Sequence, residues 1–284
     1  SNTYFTARSA PNTDFMVFDQ TISEKVSRTL TISQQISKAL LNEAFFVVFQ
    51  PKVNQITRTL IGAEALIRWN NNGKVIPPGD FVQICENSGF IKRLDFYMLN
   101  QVCKKIDEWL KKGYEPVTVS VNFSKQHLTH QDVAERICNV IDFWNIPHNL
   151  IEIEFTETSF AEMKETLKNT IDVLLSKDIA VSIDDFGSGY SSLSLLQDFN
   201  FNVLKLDKSF IETIVDNIKA RKVISNIITM AKNLDMKVIA EGVETEDELL
   251  ILKDLNCNII QGYIFDKPLT SEDFEKRIIN KVYE

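Results

Sequence analysis

Ile179-Ala180-Val181-Ser182-Ile183, a short helical pattern over 191–199, Val203-Leu204-Lys205-Leu206, a helical pattern over Ala220–Leu234, then Lys237-Val238-Ile239-Ala240: this alternation decides the fold class. The apolar runs are short and rich in β-branched residues, as strands covered on both faces must be. The segments between them carry helical spacing. Parallel neighbours need a long crossover, so strands separated by helices are expected to run parallel.

The pattern extends outward from this stretch. Upstream, strand Val117–Val121 precedes helix Gln131–Trp144, and strand Leu150–Phe155 precedes helix Ala161–Ser176. Downstream, helix Glu246–Leu255, strand Asn258–Ile260 and helix Ser271–Val282 complete the run. Two further strands, Phe45–Val53 and Thr59–Trp69, are separated only by Asn54–Arg58. So short a link allows only an antiparallel hairpin. A loop with Gly73 and Pro77-Pro78 follows, then helices near Gly79–Asn87 and Arg93–Lys112. Two strands plus six predict an α/β fold, a (β/α)8 TIM-like barrel with an antiparallel first strand. Residues 1–20 read as a tail or linker, and 21–284 as the barrel with its N-terminal helix, Thr21–Leu41. The opening Ser1-Asn2, without an initiator Met, reads as a cleavage scar on a fragment of a longer protein.

Composition narrows the partners. Lys plus Arg is 31 against 39 Asp plus Glu, a net −8. That balance gives no long-range attraction for polymeric nucleic acid or an anionic membrane. It leaves room for a small anion if bound metals invert the local charge. The four cysteines, Cys85, Cys103, Cys138 and Cys257, sit in apolar stretches without a C-x-x-C pair. They read as buried thiols in a reducing compartment, which points to the cytoplasm. His127 and His130 have no companion Cys or carboxylate set resembling a zinc site. No apolar run reaches membrane-span length, and no signal-peptide pattern opens the chain.

In such barrels chemistry sits where strands end. Here those positions are polar: Glu64 in the second strand, Asn122 after the third, and Glu154 with Glu157 at the fourth. Asp184-Asp185 ends the fifth, Lys205 lies in the sixth, Glu241 ends the seventh and Gln261 ends the eighth. Any one alone reads as a helix cap or a solvated loop residue. Seven strand ends converging on one mouth are different, because carboxylates crowd together only around cations. Oxygen ligands from Glu, Asp and Asn suit Mg²⁺ or Mn²⁺, and the Asp doublet suits two metals sharing a bridge.

These residues carry a family resemblance. Glu64-Ala65-Leu66-Ile67-Arg68-Trp69 resembles the signature of the EAL domain, the cyclic-di-GMP phosphodiesterases. In order, Gln50-Pro51, Val121-Asn122-Phe123-Ser124, Glu154-Phe155-Thr156-Glu157, Asp184 to Leu193, Lys205 to Phe210, Glu241-Gly242-Val243-Glu244 and Gln261-Gly262-Tyr263 match too. The resemblance covers Ile36 to Pro268 and beyond, and residues 1–20 weakly resemble the tail after a GGDEF domain. It implies hydrolysis of cyclic-di-GMP to linear 5′-pGpG with two Mg²⁺ or Mn²⁺ ions, inhibited by Ca²⁺.

Residue by residue, the resemblance makes Glu64, Asn122, Glu154 and Asp184 ligands of the first metal. Asp184, Asp185 and Glu241 become ligands of the second. Lys205 holds the nucleophilic water, with Glu241 and Glu64 also catalytic. Gln261 supports the site, and Glu157 anchors the loop Asp185–Leu193, which couples a homodimer interface to the metals. Gln50, Leu66, Arg68 and Asp207 contact substrate. Two departures from the family pattern are Ser188 for the commoner Thr and Asp266 for Ser. The second would bring negative charge near an anionic substrate. Two other readings compete: a receptor that binds cyclic-di-GMP without cutting it, and a glycosidase using Glu154 and Asp184 as its pair. The glycosidase leaves Asp185, Lys205 and Asn122 without a role.

Overall fold

The structure, a computed structural model, describes residues 35–156, 163–187 and 192–283. The expected tail 1–20, most of the helix Thr21–Leu41, Glu157 and Ser188–Ser191 lie outside the described residues; 35–41 are helical. Packing divides the chain into two compact units. One comprises Phe46–Ile67 with Lys92–Glu284, the other Arg68–Ile91 with the residues up to Phe45.

The larger unit is built on a barrel. Its strands are β1 (Phe45–Asn54), β2 (Thr59–Asn71), β4 (Thr118–Asn122), β5 (Ile151–Thr156), β6 (Ala180–Phe186), β7 (Val203–Leu206), β8 (Lys237–Glu241) and β9 (Ile259–Gln261); β3 (Lys74–Ile76) belongs to the smaller unit. From β2 through β4 to β9 every pairing is parallel. β1 runs antiparallel to β9, and its pairing with β2 closes the ring. Helices α2 (Ile91–Lys111), α3 (Val133–Trp144), α4 (Lys164–Ser176), α5 (Ser192–Asp198), α7 (Ile218–Asn233), α8 (Glu246–Asp254) and α9 (Ser271–Ile279) provide the crossovers and the outer layer. The fold is the α/β barrel that the alternation predicts, antiparallel first strand included.

Strand alternation divides the side chains. Ile151, Ile153 and Phe155 of β5 are fully buried in the apolar core, while Glu152 and Glu154 between them belong to the interior face. Leucine, isoleucine and valine from the strands and helices fill the layer outside the barrel. α8 starts from a capping box, with Thr245 and Glu248 satisfying each other's backbone amides. Among the described residues no helix is long and apolar enough to cross a membrane.

The strands run further than their apolar residues suggest. β6 extends through Asp184 and Asp185 to Phe186, β8 includes Glu241 and β9 includes Gln261. The polar groups therefore sit on ladder-bonded strand ends rather than on loops. A short helix, α6 (Lys208–Glu212), was not legible as a separate element; Asp207 caps it by accepting from the Ser209 amide.

The smaller unit has its own aromatic centre. Phe45, Trp69 and Phe81 pack with ring centroids 5.5 to 5.8 Å apart. α1 (Val82–Ser88) ends at Gly89 in the left-handed conformation. Where the sequence reading has only a loop, β2 turns back into β3, pairing Asn71 with Lys74. Asn72 (φ 53°) and Gly73 (φ 87°) both take positive φ, as a two-residue hairpin turn of this hand requires.

Candidate active site

Two adjacent residues of a regular strand face opposite ways, so Asp184 and Asp185 could not both serve one mouth on an unbroken β6. A register shift resolves this. Ile183 pairs with Leu204, and the next pair is Phe186 with Leu206, so β6 carries one extra residue. Asp185 takes up the bulge at φ 54°, a left-handed conformation that Asp tolerates better than most residues. Its amide donates to Asp184 Oδ1 at 2.9 Å. Gly187, at φ 97°, then lets the Phe210 ring occupy the space a Cβ would fill.

The result is two groups of carboxylates with one member in common. Ligand atoms of Glu64, Glu154 and Asp184 lie within 4.8 Å of one another, as do those of Asp184, Asp185 and Glu241. Asn122 and Gln261 orient Glu64: the Asn122 amide donates to Oε1 at 2.8 Å, and the Gln261 amide to Oε2 at 2.5 Å. Gln261 also reaches the Gln50 side-chain oxygen at 3.4 Å.

Lys205 stands at the centre, fully buried. Its Nζ lies 2.7 Å from Glu154 Oε2, 2.8 Å from Glu241 Oε1, 3.0 Å from Asp184 Oδ1 and 3.6 Å from Glu64 Oε2. Burial opposes its charge, but Asp184, Glu154, Glu241 and Glu64 outweigh burial and hold its pKa well above the ordinary lysine value.

The carboxylates divide. Burial pushes Glu64, Asp184 and Glu241 above the usual carboxylate range, with neighbouring acids adding to the effect and Lys205 only partly offsetting it. Asp185 rises for burial and for its proximity to Asp207. Glu154 goes the other way, down to about 2: burial would raise it, but Lys205 and Lys52 together prevail.

Lys52 is a functional candidate that the sequence reading missed. Gln50 and Lys52 are two apart on β1, so strand alternation puts both on the interior face. Its Nζ donates to Ser120 Oγ at 2.8 Å and to Glu152 Oε1 and Glu154 Oε1, each at 3.1 Å. Burial works against the Lys52 charge, but Glu152 and Glu154 raise its pKa above the ordinary value.

The residues present fit divalent cations. Among the described residues, Glu64, Glu152, Glu154, Asp184, Asp185 and Glu241 pair with Lys52 and Lys205, a formal excess of four negative charges. Two orphaned atoms add to this. Glu241 Oε1 is close to Lys205 but off its hydrogen-bonding direction, and the buried Gln261 Oε1 has no donor. All-oxygen donors suit hard ions such as Mg²⁺ or Mn²⁺.

The other predicted residues fall as follows. Asp207 is partly buried and spends Oδ1 on the Ser209 amide and hydroxyl. Leu66 is partly buried, two residues beyond Glu64 on the same strand face. Arg68 lies in the smaller unit. Glu157 lies outside the described residues. His127 is buried and engages Asp95 at 3.0 Å through Nε2, a contact that ties the segment after β4 to α2. Asp266 is paired: Arg277 donates to its two oxygens at 2.8 and 3.0 Å and the Tyr283 hydroxyl at 2.8 Å, so its charge anchors α9 and the C-terminal residues.

Comparison with known proteins adds the following. The family model for the EAL domain matches residues 33–268. The signaling protein YkoW of Bacillus subtilis (strain 168) is 32% identical over 278 residues, covering 98% of this chain and 35% of that protein. The cyclic di-GMP phosphodiesterase PdeR of Escherichia coli (strain K12) is 32% identical over 273 residues, covering 96% of this chain and 41% of that protein. The chain thus spans less than half the length of these curated relatives. Among solved structures, the EAL enzyme Bd1971 in its cAMP- and cyclic-di-GMP-bound form matches with a TM-score of 0.83 at 31% identity, covering 89% of this chain and 70% of that one. The PaMucR phosphodiesterase in complex with c-di-GMP matches with a TM-score of 0.80 at 28% identity, covering 86% and 99%.

Proposed function

Because the chain belongs to the EAL domain family, we propose that it is a metal-dependent phosphodiesterase that hydrolyses cyclic-di-GMP to linear 5′-pGpG. The observation that carries this reading is Asp184, shared between two carboxylate groups whose combined charge the two lysines do not balance. Glu64, Asn122, Glu154 and Asp184 would hold one cation, and Asp184, Asp185 and Glu241 a second. When bound, such ions neutralise the phosphoryl oxygens and make the attacking water more acidic.

The reaction is an in-line displacement. A new P–O bond forms from water as the bond to the 3′-oxygen breaks; the water gives up a proton and the leaving oxygen takes one. Lys205 orients the attacking water, its own position fixed by four carboxylates. Gln50, Leu66 and Asp207 are the proposed substrate contacts, and Arg68 joins them on the family pattern alone. That pattern also carries the homodimer and the loop role of Glu157. Buried free thiols at all four cysteines suit a reducing compartment, and the cytoplasm is the proposed location.

The test is incubation of the chain with cyclic-di-GMP and Mg²⁺ or Mn²⁺, followed by chromatography of the products. Linear 5′-pGpG is the expected product. Tight binding with cyclic-di-GMP recovered intact across a wide pH range would make this chain a receptor.

A further inference from the structure

Glu154 is gripped from two directions. Lys205 takes its Oε2 at 2.7 Å, and Lys52 takes its Oε1 at 3.1 Å. Lys205 belongs to the carboxylate groups of the mouth, whereas Lys52 touches no other member of them. Its other partners are Ser120 Oγ at 2.8 Å and Glu152 Oε1 at 3.1 Å, two residues further from the mouth along β4 and β5. Lys52 is 4% exposed and Glu152 6%. Both line the inner end of a cavity of about 430 Å³, where Gly62, Thr118 and Ala180 fill little space. A Cβ on Gly62 would lie 3.2 Å from the Thr118 carbonyl, a tight approach, and at ordinary contact distance, 3.5 Å, from the Lys52 stem.

This arrangement has no catalytic reach of its own, yet it settles which way Glu154 points. A carboxylate held by one oxygen from below presents the other upward in a fixed orientation, and partners of this kind tune how well a ligand takes its metal. We propose that Lys52, braced by Glu152 and Ser120, is a positioning residue that sets Glu154 for divalent-cation binding. The inference rests on the metal reading of the mouth.

Charge and positioning make opposite predictions for a lysine near a cation site. If Lys52 acted only through its charge, removing it would tighten cation binding, since one repelling ammonium is gone. If it positions Glu154, removing it loosens binding. The charge-neutral double substitution Lys52→Met/Glu152→Met separates the two: it removes one ammonium and one carboxylate together and leaves Glu154 with Lys205 as its single ammonium partner. Mg²⁺ binding to the substrate-free chain is measured by calorimetry beside thermal unfolding. The expected result is a folded variant with a cooperative unfolding transition and affinity for Mg²⁺ weaker by roughly 10–100-fold. At saturating Mg²⁺ the rate should recover most of its loss, so the concentration giving half-maximal rate moves more than kcat. Parent-like or tighter affinity in the double variant overturns the inference. Should that variant fail to fold, Lys52→Gln decides, because charge and positioning predict opposite signs for it: weakened Mg²⁺ binding upholds the proposal, and unchanged or tighter binding overturns it. A parent chain that takes up no Mg²⁺ overturns the metal reading and this inference together. A parent that binds it, with variants that bind it equally, overturns this inference alone.

Discussion

The two ends of the barrel interior use the same residue types to opposite effect. Away from the mouth, one ammonium, Lys52, meets Glu152, Glu154 and Ser120, and each partner is within hydrogen-bonding distance. At the mouth, one ammonium, Lys205, faces Glu64, Glu154, Asp184 and Glu241, with Asp185 beside them. With Glu154 counted at the mouth, the inner end is compensated by the chain itself, Lys52 against Glu152. The mouth is not: Glu64, Asp184 and Glu241 are pushed up toward protonation, and among the described residues Gln261 Oε1 has no donor and Glu241 Oε1 has only the misaligned Lys205 ammonium beside it. Glu154 spans both environments and is the carboxylate that is pushed down, because it alone has two lysines. An interior that balances its charges at one end and leaves them in excess at the other is what the proposed binding of cations from solution requires.

The largest expected effect breaks the comparison by withholding those cations. Exhaustive chelation should abolish hydrolysis, and Mg²⁺ or Mn²⁺ should restore it. Ca²⁺ should inhibit, since it prefers longer bonds and more ligands than this compact oxygen set offers. Asp184→Asn, at the residue common to both carboxylate groups, should lower kcat by at least about 10²–10³-fold. Full turnover after chelation would remove the metal reading.

Lys205 and Glu64 sharpen the comparison, because both sit at the mouth and should fail differently. Lys205→Met should cost kcat on the order of 10²–10³-fold, the loss seen when one preorganised stabilising group is removed. Calorimetric affinity for cyclic-di-GMP should survive, since Gln50 and Asp207 remain. Added Mg²⁺ should not rescue it. Glu64→Ala should lose activity through weakened cation binding, so excess Mg²⁺ should restore part of the rate. Equal rescue of both variants in single-turnover measurements would show that Lys205 has no part separate from holding the cluster together.

The barrel was legible because crossover length and strand polarity are local facts. Helix-length segments between the later strands impose parallel order, and the short link Gln55–Arg58 imposes the antiparallel start. The β3 hairpin was read as a loop: Asn72-Gly73 is a hairpin signal, but Pro77-Pro78 after it turned the reading the other way. The shared facing of Asp184 and Asp185 was not, since alternation sends neighbours to opposite faces and nothing in the residues announces the bulge. Lys52 could have been found by applying the same alternation to Gln50-Pro51-Lys52. Its partners could not, because Ser120, Glu152 and Glu154 are 68 to 102 residues away and reach it only through the closed barrel. The pairing of Asp266 with Arg277 and Tyr283 depends likewise on where α9 returns.

The smallest expected effect is in stability and tests the imbalance directly. Glu64, Asp184 and Glu241 have folded pKa values above their unfolded ones, which lie near ~4. A raised carboxylate contributes stability that is fully present below its unfolded pKa and is lost as pH rises through its folded pKa. Glu154, depressed to about 2, contributes stability present above its unfolded pKa and lost as pH falls through that folded value. Across the pH window above the unfolded carboxylate values the Glu154 contribution is therefore constant, while those of Glu64, Asp184 and Glu241, and of Asp185 with them, decline as pH rises. In a chelator, the unfolding temperature should fall by a few degrees across that window. Asp95, also pushed up by burial, gives a slope of the same sign, but it is held by His127 and the Ser124 amide rather than by the mouth. Mg²⁺ distinguishes the two. It binds the ionised carboxylates, so its stabilising effect should grow as pH rises, reaching roughly 2.7 kcal/mol where the ion is a hundredfold above its dissociation constant. The measurement is the unfolding temperature against pH with chelator and with Mg²⁺. Two curves separated by a constant offset would mean that the mouth carboxylates are not the groups the cations meet, and the contrast between the two ends of the barrel would lose its meaning.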